Sequence, residues 1–131
     1  MAIPGRSYLV SENQNSHKAV VLSAGTLPEL LGLREEILRS AGFEVFTVTR
    51  REEALAAVKR GDCGVLLLCY SVPNEWRGEL IRKFRQACPK GRVIGITNYP
   101  VVRPAKETDA LIYGIEGAEA LISAVRRESA A

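Results

Sequence analysis

The sequence has 131 residues, of which 47% are hydrophobic and 25% charged, with a formal net charge of +3. These fractions are typical of a folded globular domain and exclude a disordered or collagen-like chain. The longest apolar run, residues 65–69, is too short to cross a bilayer, and the first residues lack the pattern of a secretory signal. We therefore expect a cytoplasmic protein without membrane partners.

The acidic residues are strongly biased toward glutamate. Thirteen of the fifteen acids are Glu, Asp62 and Asp109 are the two aspartates, and His17 is the single histidine. Chemistry that needs clustered aspartates or a histidine base therefore lacks residues in this chain.

The cysteines predict reduced, buried thiols. Cys63, Cys69 and Cys88 are odd in number and form no C-x-x-C pair. If the chain from Cys63 to Cys69 is extended, the two lie roughly 20 Å apart, whereas a disulfide needs Cα atoms within about 7 Å. These two residues therefore cannot be bridged.

Taken in chain order, the pattern changes from a polar leader to alternating strands and helices. Residues 1–17 predict a flexible leader with a candidate short strand at 7–10, and residues 18–131 predict a single domain. Short apolar runs predict five strands, at 19–23, 43–48, 64–69, 93–97 and 110–113. Helical spacing of apolar residues predicts helices at 29–40, 51–60, 75–87 and 116–128.

This alternation predicts a three-layer α/β/α sandwich. Helices between successive strands imply crossovers and hence a parallel sheet, and the flavodoxin-like strand order 2-1-3-4-5 suits five such units best. Ligands bind outside the carboxyl ends of the strands in such folds. Trp76, near the start of the third helix, belongs to its inner stripe or, alternatively, faces a protein partner at this edge.

The order and spacing of several short motifs resemble the response-regulator receiver domain from residue 19 to residue 128. Pro28 follows the first strand, and A-G-F-E-V stands at 41–45, E-E-A-L at 52–55 and L-L-C-Y-S-V-P at 67–73. Thr97 ends the fourth strand, where the family has a threonine or serine. The resemblance implies the same fold and a place in two-component signal transduction or a phosphorelay.

The residues that carry the family's chemistry are mostly replaced. The resemblance puts the phosphoacceptor aspartate at Cys69, the metal-binding acidic pair at Gly25 and Thr26, and the conserved lysine at Tyr113. Only the switch hydroxyl, at Thr97, is retained.

This replacement predicts a domain without phosphoryl-transfer chemistry. Mg²⁺ requires hard oxygen ligands, and phosphoryl transfer depends on positioning and charge, so we expect no metal, no cofactor and no enzymatic activity. Asp62 and Asp109 precede strands and are expected at the opposite, amino edge of the sheet. The segment between Thr97 and Tyr113 is shorter than in the family and contains prolines, which predicts that the fourth helix of the family is shortened or lost.

We therefore expect a degenerate receiver-like domain (a pseudo-receiver) that acts as a phosphorylation-independent signalling and protein-interaction module. A sensor kinase or another signalling component is the expected partner, with homodimerisation left open. Nucleic acid is not expected, because the net charge is small and no DNA-binding motif occurs. Two alternatives remain: a cysteine-based redox switch at Cys69, and a small-molecule or anion binder that uses Gly25, Thr26, Thr97 and Tyr113.

Overall fold

A parallel sheet of five strands organises the protein, which a computed structural model describes over residues 20–98 and 107–130. The strands are β1 (Val20–Ala24), β2 (Glu44–Val48), β3 (Val65–Leu68), β4 (Arg92–Thr97) and β5 (Ala110–Tyr113). Every neighbouring pair is parallel, and the order across the sheet is β2-β1-β3-β4-β5. The predicted strand order and flavodoxin-like class are confirmed.

Four α-helices surround the sheet in the described residues. They are α1 (Pro28–Ser40), α2 (Arg51–Arg60), α3 (Asn74–Ala87) and α4 (Ala118–Ser129), and a 3₁₀ turn (Gly114–Glu116) precedes α4. In this part of the chain none of the helices is long and apolar enough to cross a membrane. The prediction that the last helix begins at residue 116 is wrong by two residues, because Gly117 has a φ of +92° and separates the turn from α4.

The strand residues alternate between two cores, which gives the predicted three layers. On one face, Val20, Leu22 and Ala24 pack with residues of α2 and α3, including the buried Trp76. On the other face, Val21 packs with residues of α1 and α4. The inner-stripe interpretation of Trp76 is therefore confirmed.

Two sequence predictions lie outside the described residues. The polar leader and its candidate strand fall within residues 1–19, and the shortened or lost helix falls largely within residues 99–106. Within the described residues, three side chains lie close to Gly95 of β4. A Cβ at Gly95 would lie 3.1 Å from Leu111, 3.3 Å from Thr108 and 3.7 Å from Arg77, so these side chains cover the strand at that point.

Candidate functional site

The residues singled out at the carboxyl edge of the sheet form two groups in the structure. Gly25 and Cys69 directly follow the adjacent strands β1 and β3, and Thr26 continues the loop after β1. Thr97 and Tyr113 end β4 and β5, where they are paired in register. The parallel topology thus brings all five residues to one edge, as the strand pattern predicts.

Gly25 is held where a side chain has no space. A Cβ at this position would lie 2.7 Å from Cβ of Cys69 and 3.0 Å from both Oγ of Ser71 and Cδ1 of Leu31. Because Cβ of Cys69 is fixed to its own backbone, it has little freedom to move aside. An acidic side chain at residue 25 therefore requires the backbone of one of the two loops to shift.

Thr26 and Ser71 connect these two loops directly. The backbone N–H of Thr26 donates to Oγ of Ser71 at 2.9 Å, and Oγ1 of Thr26 donates to the carbonyl oxygen of Ser71 at 3.1 Å. We call this pair of hydrogen bonds the Thr26–Ser71 clasp. It occupies the amide that an anion at this loop would otherwise use, which argues against the anion-binder alternative.

A local turn after β3 presents Ser71 to Thr26. The N–H of Val72 donates to the carbonyl oxygen of Cys69 at 3.1 Å, and Val72 is itself buried. Pro73, at a φ of −64°, then leads into α3. Ser71 lies within the L-L-C-Y-S-V-P motif, but its partner across the sheet edge has no signal in the sequence.

Cys69 is packed into the core at the phosphoacceptor position of the resemblance. Its side chain is 1% exposed, and its N–H donates to the carbonyl oxygen of Ala24 at 2.9 Å. A thiol that reacts with a soluble oxidant needs access to solvent, so this burial favours the structural interpretation of Cys69. The redox alternative stays a prediction.

The residues do not fit a magnesium ion. Gly25 contributes no donor side chain, Cys69 offers a soft and buried sulfur, and the hydroxyl of Thr26 is engaged in the clasp. Mg²⁺ prefers several hard oxygen ligands in an octahedral arrangement. Throughout residues 20–98 and 107–130, no three His, Cys, Asp or Glu side chains cluster as metal ligands.

Three large apolar side chains are exposed around this edge. Leu27 is 40% exposed, Tyr70 42% and Ile115 75%, and each lies in the segment that follows β1, β3 or β5. We call these three residues the apolar rim. Single exposed apolar residues are common; what these three share is their location in loops at the carboxyl edge of the sheet.

The two aspartates lie at the amino edge, away from this site. Asp109, just before β5, accepts hydrogen bonds at Oδ2 from Nη1 of Arg85 at 2.9 Å and from the N–H of Val93 at 2.8 Å. Burial by itself would raise the pKa of Asp109, but the Val93 N–H and the Arg85 guanidinium outweigh it and lower the pKa below its usual value. Through these two hydrogen bonds, Asp109 connects the start of β5 to α3 and to β4. Asp62, exposed before β3, has a more distant charge partner in Arg60 at 3.8 Å.

Comparison with known proteins gives a clear result at the level of the fold. No protein-family model matches the sequence, and no curated protein matches it. The chemotaxis protein CheY4 of Vibrio cholerae superposes with a TM-score of 0.73 at 19% identity, covering 84% of this chain and 98% of that one. The chain has the receiver-domain fold.

Two further solved structures show the range of proteins that share this fold. The response regulator TrrA of Thermotoga maritima, in complex with Mg²⁺ and BeF, has a TM-score of 0.70 at 22% identity and covers 82% of this chain and 96% of that one. A structure described as adenylate cyclase from Rhodopirellula baltica has a TM-score of 0.66 at 22% identity, covering 85% and 89%. At these identities the likeness concerns the fold alone, so the function of the receiver-like chain has to be argued from its own residues.

Proposed function

We propose that this protein is a pseudo-receiver, a signalling module that binds a protein partner without being controlled by aspartyl phosphate. One observation carries the proposal: the packing of Gly25 against Cys69 fills the position to which the resemblance assigns an acidic side chain. The Thr26–Ser71 clasp supports it, because the clasp connects the two loops that a metal ion would otherwise join.

The proposal includes the absence of catalysis, and the fold does not decide that point. The similar structures include TrrA with bound Mg²⁺ and BeF and a protein described as adenylate cyclase. The resemblance puts the phosphoacceptor position at Cys69 and the lysine position at Tyr113, and neither side chain supplies the group that would accept or neutralise a phosphoryl group.

The partner that we propose is a sensor kinase or another signalling protein that contacts the carboxyl edge. The apolar rim supplies exposed aliphatic and aromatic surface there. Removal of such surface from water by a bound protein is favourable and stabilises the complex. Homodimerisation is a second form of the same proposal. Sedimentation velocity across a concentration series tests it, and a constant monomer mass would contradict it.

Phosphorylation is tested directly by intact-mass spectrometry. Incubation with acetyl phosphate and Mg²⁺ is expected to leave the mass unchanged, whereas a receiver domain that retains its aspartate gains about 80 Da under the same conditions. A gain of that size on this chain, abolished by Cys69→Ala or by either aspartate-to-asparagine substitution, would overturn the proposal.

Partner binding is tested by placing charge on the apolar rim. Tyr70→Glu and Ile115→Glu are expected to reduce quantitative cross-linking to a purified partner kinase or adaptor by about tenfold. Phe46→Glu is the matched control, because Phe46 is an exposed aromatic residue on β2 rather than after a strand end. Equal cross-linking yields for the rim variants and the Phe46→Glu control would show that the partner binds another surface.

A further inference from the structure

A cavity lies between α1, the ends of β4 and β5, and the start of α4. Its volume is about 150 Å³, and it opens to solvent beside the exposed Leu33. Six large apolar side chains line most of it: Leu30, Leu33, Ile37, Ile96, Ile112 and Leu121. This volume is close to that of a cavity known to accommodate one benzene ring. It lies on the α1–α4 side of the sheet, and Gly25, Thr26 and Cys69 are not among its lining residues.

Arg34 of α1 also lines this cavity, and it is an unusual residue for such a position. It lies three residues after the fully buried Leu31 and four before the fully buried Leu38, so it belongs to the buried stripe of α1. Its side chain is only 7% exposed, and its Nη1 has no hydrogen-bond partner among the described residues. A buried donor that lacks an acceptor is costly, so an anion in the cavity that accepted from this Nη1 would remove that cost.

The start of α4 adds further donors to the same cavity. Gly117 and Ala118 line it, and no side chain caps the helix. The first α4 amide bonded to a preceding carbonyl in the helical pattern is that of Leu121, which donates to Gly117. The amides before Leu121 therefore have no acceptor within the helix, and the positive end of the helix dipole lies there.

We propose that this cavity binds a small organic monocarboxylate, with the carboxylate between Arg34 and the first turn of α4 and the apolar body against the lining. A planar guanidinium matches a carboxylate with two parallel hydrogen bonds. Two exposed acidic residues lie close by in the sequence, Glu116 just before this turn and Glu119 within it, so a singly charged ligand is favoured over a multiply charged one. Gly114 and Gly117 line the cavity on either side of Ile115 in the sequence, so the site adjoins the apolar rim, but the ligand goes beyond the proposed function.

The experiment is an NMR titration of the full chain with sodium benzoate at constant ionic strength. Saturable shifts are expected at the amides of Gly117 and Ala118 and at the Arg34 side chain, together with a rise in melting temperature. Benzamide, which has the same shape without the charge, is expected to produce neither effect. Arg34→Met is expected to weaken benzoate binding at least about tenfold, whereas Arg82→Met, an exposed arginine on α3, is expected to leave it unchanged.

Three results would overturn the proposal. The first is an absence of saturable shifts up to about 10 mM benzoate, which would show that the cavity does not bind this monocarboxylate. The second is equal shifts with benzamide, and the third is full binding by Arg34→Met. If Arg34→Met does not fold, Arg34→Lys gives the decision, because a lysine keeps the charge but loses the planar pair of donors; undiminished binding by this variant would contradict the proposed geometry. None of these results bears on phosphorylation, which is tested separately by intact mass.

Discussion

Thr26 donates two hydrogen bonds to Ser71, one from its backbone amide and one from its hydroxyl, across the carboxyl edge of the sheet. Both acceptors belong to a single residue in the loop after β3, so the two loops are joined by protein atoms. The groups that form this connection are a backbone amide, two hydroxyls and a carbonyl, and all of them are uncharged.

The close contact between Gly25 and Cys69 predicts that Gly25→Ala destabilises the protein. The added Cβ would lie 2.7 Å from Cβ of Cys69, and overpacking of this kind costs about 1–3 kcal/mol. Urea denaturation measures the change in the free energy of unfolding. Gly32→Ala is the control, since Gly32 lies in α1 with no atom within 4 Å of the added Cβ, and we expect a gain of about 0.5–1 kcal/mol there. Equal effects at both glycines would contradict the packing argument.

The clasp predicts slow amide exchange at Thr26. Ser71→Ala removes the acceptor of that amide and is expected to lower the free energy of unfolding by about 1 kcal/mol. Hydrogen exchange measured by NMR is expected to accelerate at Thr26 by about tenfold. Ser71→Thr, which keeps a hydroxyl, and Ser123→Ala, on the exposed face of α4, serve as controls. Unchanged protection in Ser71→Ala would show that another group protects the amide.

The lowered pKa of Asp109 predicts that the protein loses stability in acid. Its folded pKa lies below the unfolded value, so its contribution is fully present above the unfolded pKa of about 3.9 and is lost as the pH falls through the folded pKa. Asp109→Asn is expected to cost about 1–3 kcal/mol at pH 7, and the difference from the wild type is expected to shrink below about pH 4.

Asp62→Asn is the matched control for Asp109→Asn, because these are the two aspartates of the chain. The carboxylate of Asp62 is about half exposed, so its substitution is expected to change stability by less than about 0.5 kcal/mol. A difference between Asp109→Asn and wild type that stayed constant from pH 7 to pH 3 would contradict the assignment to ionisation.

The thiols predict slow alkylation of the native protein. Burial, and then the Asp62 carboxylate, raise the pKa of Cys63 to about 12, and burial likewise raises the pKa of Cys88. At pH 8, Cys63 therefore carries roughly a thousandfold less thiolate than an unperturbed cysteine. Iodoacetamide labelling followed by peptide mass spectrometry is expected to leave Cys63 unmodified in the native state and modified in urea.

The same labelling experiment tests the redox alternative at Cys69. We expect Cys69 to remain unmodified in the native protein, because it is 1% exposed. Modification of Cys69 at the rate of a free thiol would support the switch and count against the packed interpretation.

The raised pKa of Cys63 predicts a loss of stability in alkali. The free energy of unfolding is expected to fall as the pH rises above about 8.5, where the unfolded thiol ionises and the folded one does not. Cys63→Ala is expected to lessen that fall.

The arrangement of strands and helices was predictable because it depends on local periodicity. The apolar run of β3 was predicted at 64–69 and is found at Val65–Leu68, and α3 begins at Asn74 rather than at residue 75. Both differences concern ends, where capping and turn geometry outweigh periodicity. The carboxyl-edge location of Cys69 and Thr97 also followed from the strand pattern.

The contacts within the sites were not predictable, because they join residues far apart in the sequence. Ser71 lies 45 residues from Thr26, and no spacing rule connects the two. Arg34 did carry a signal, since it shares the helical face of Leu31 and Leu38. Only the structure, however, shows that this charge is buried beside a cavity and the start of α4.

The tight fit at Gly25 also constrains the order in which this sequence can change. Any replacement of Cys69 except glycine keeps the Cβ that blocks residue 25, so installing an aspartate at residue 69 does not open space for an acidic neighbour. Redesign of this edge as a metal site therefore needs a shift of a loop backbone in addition to new acidic side chains.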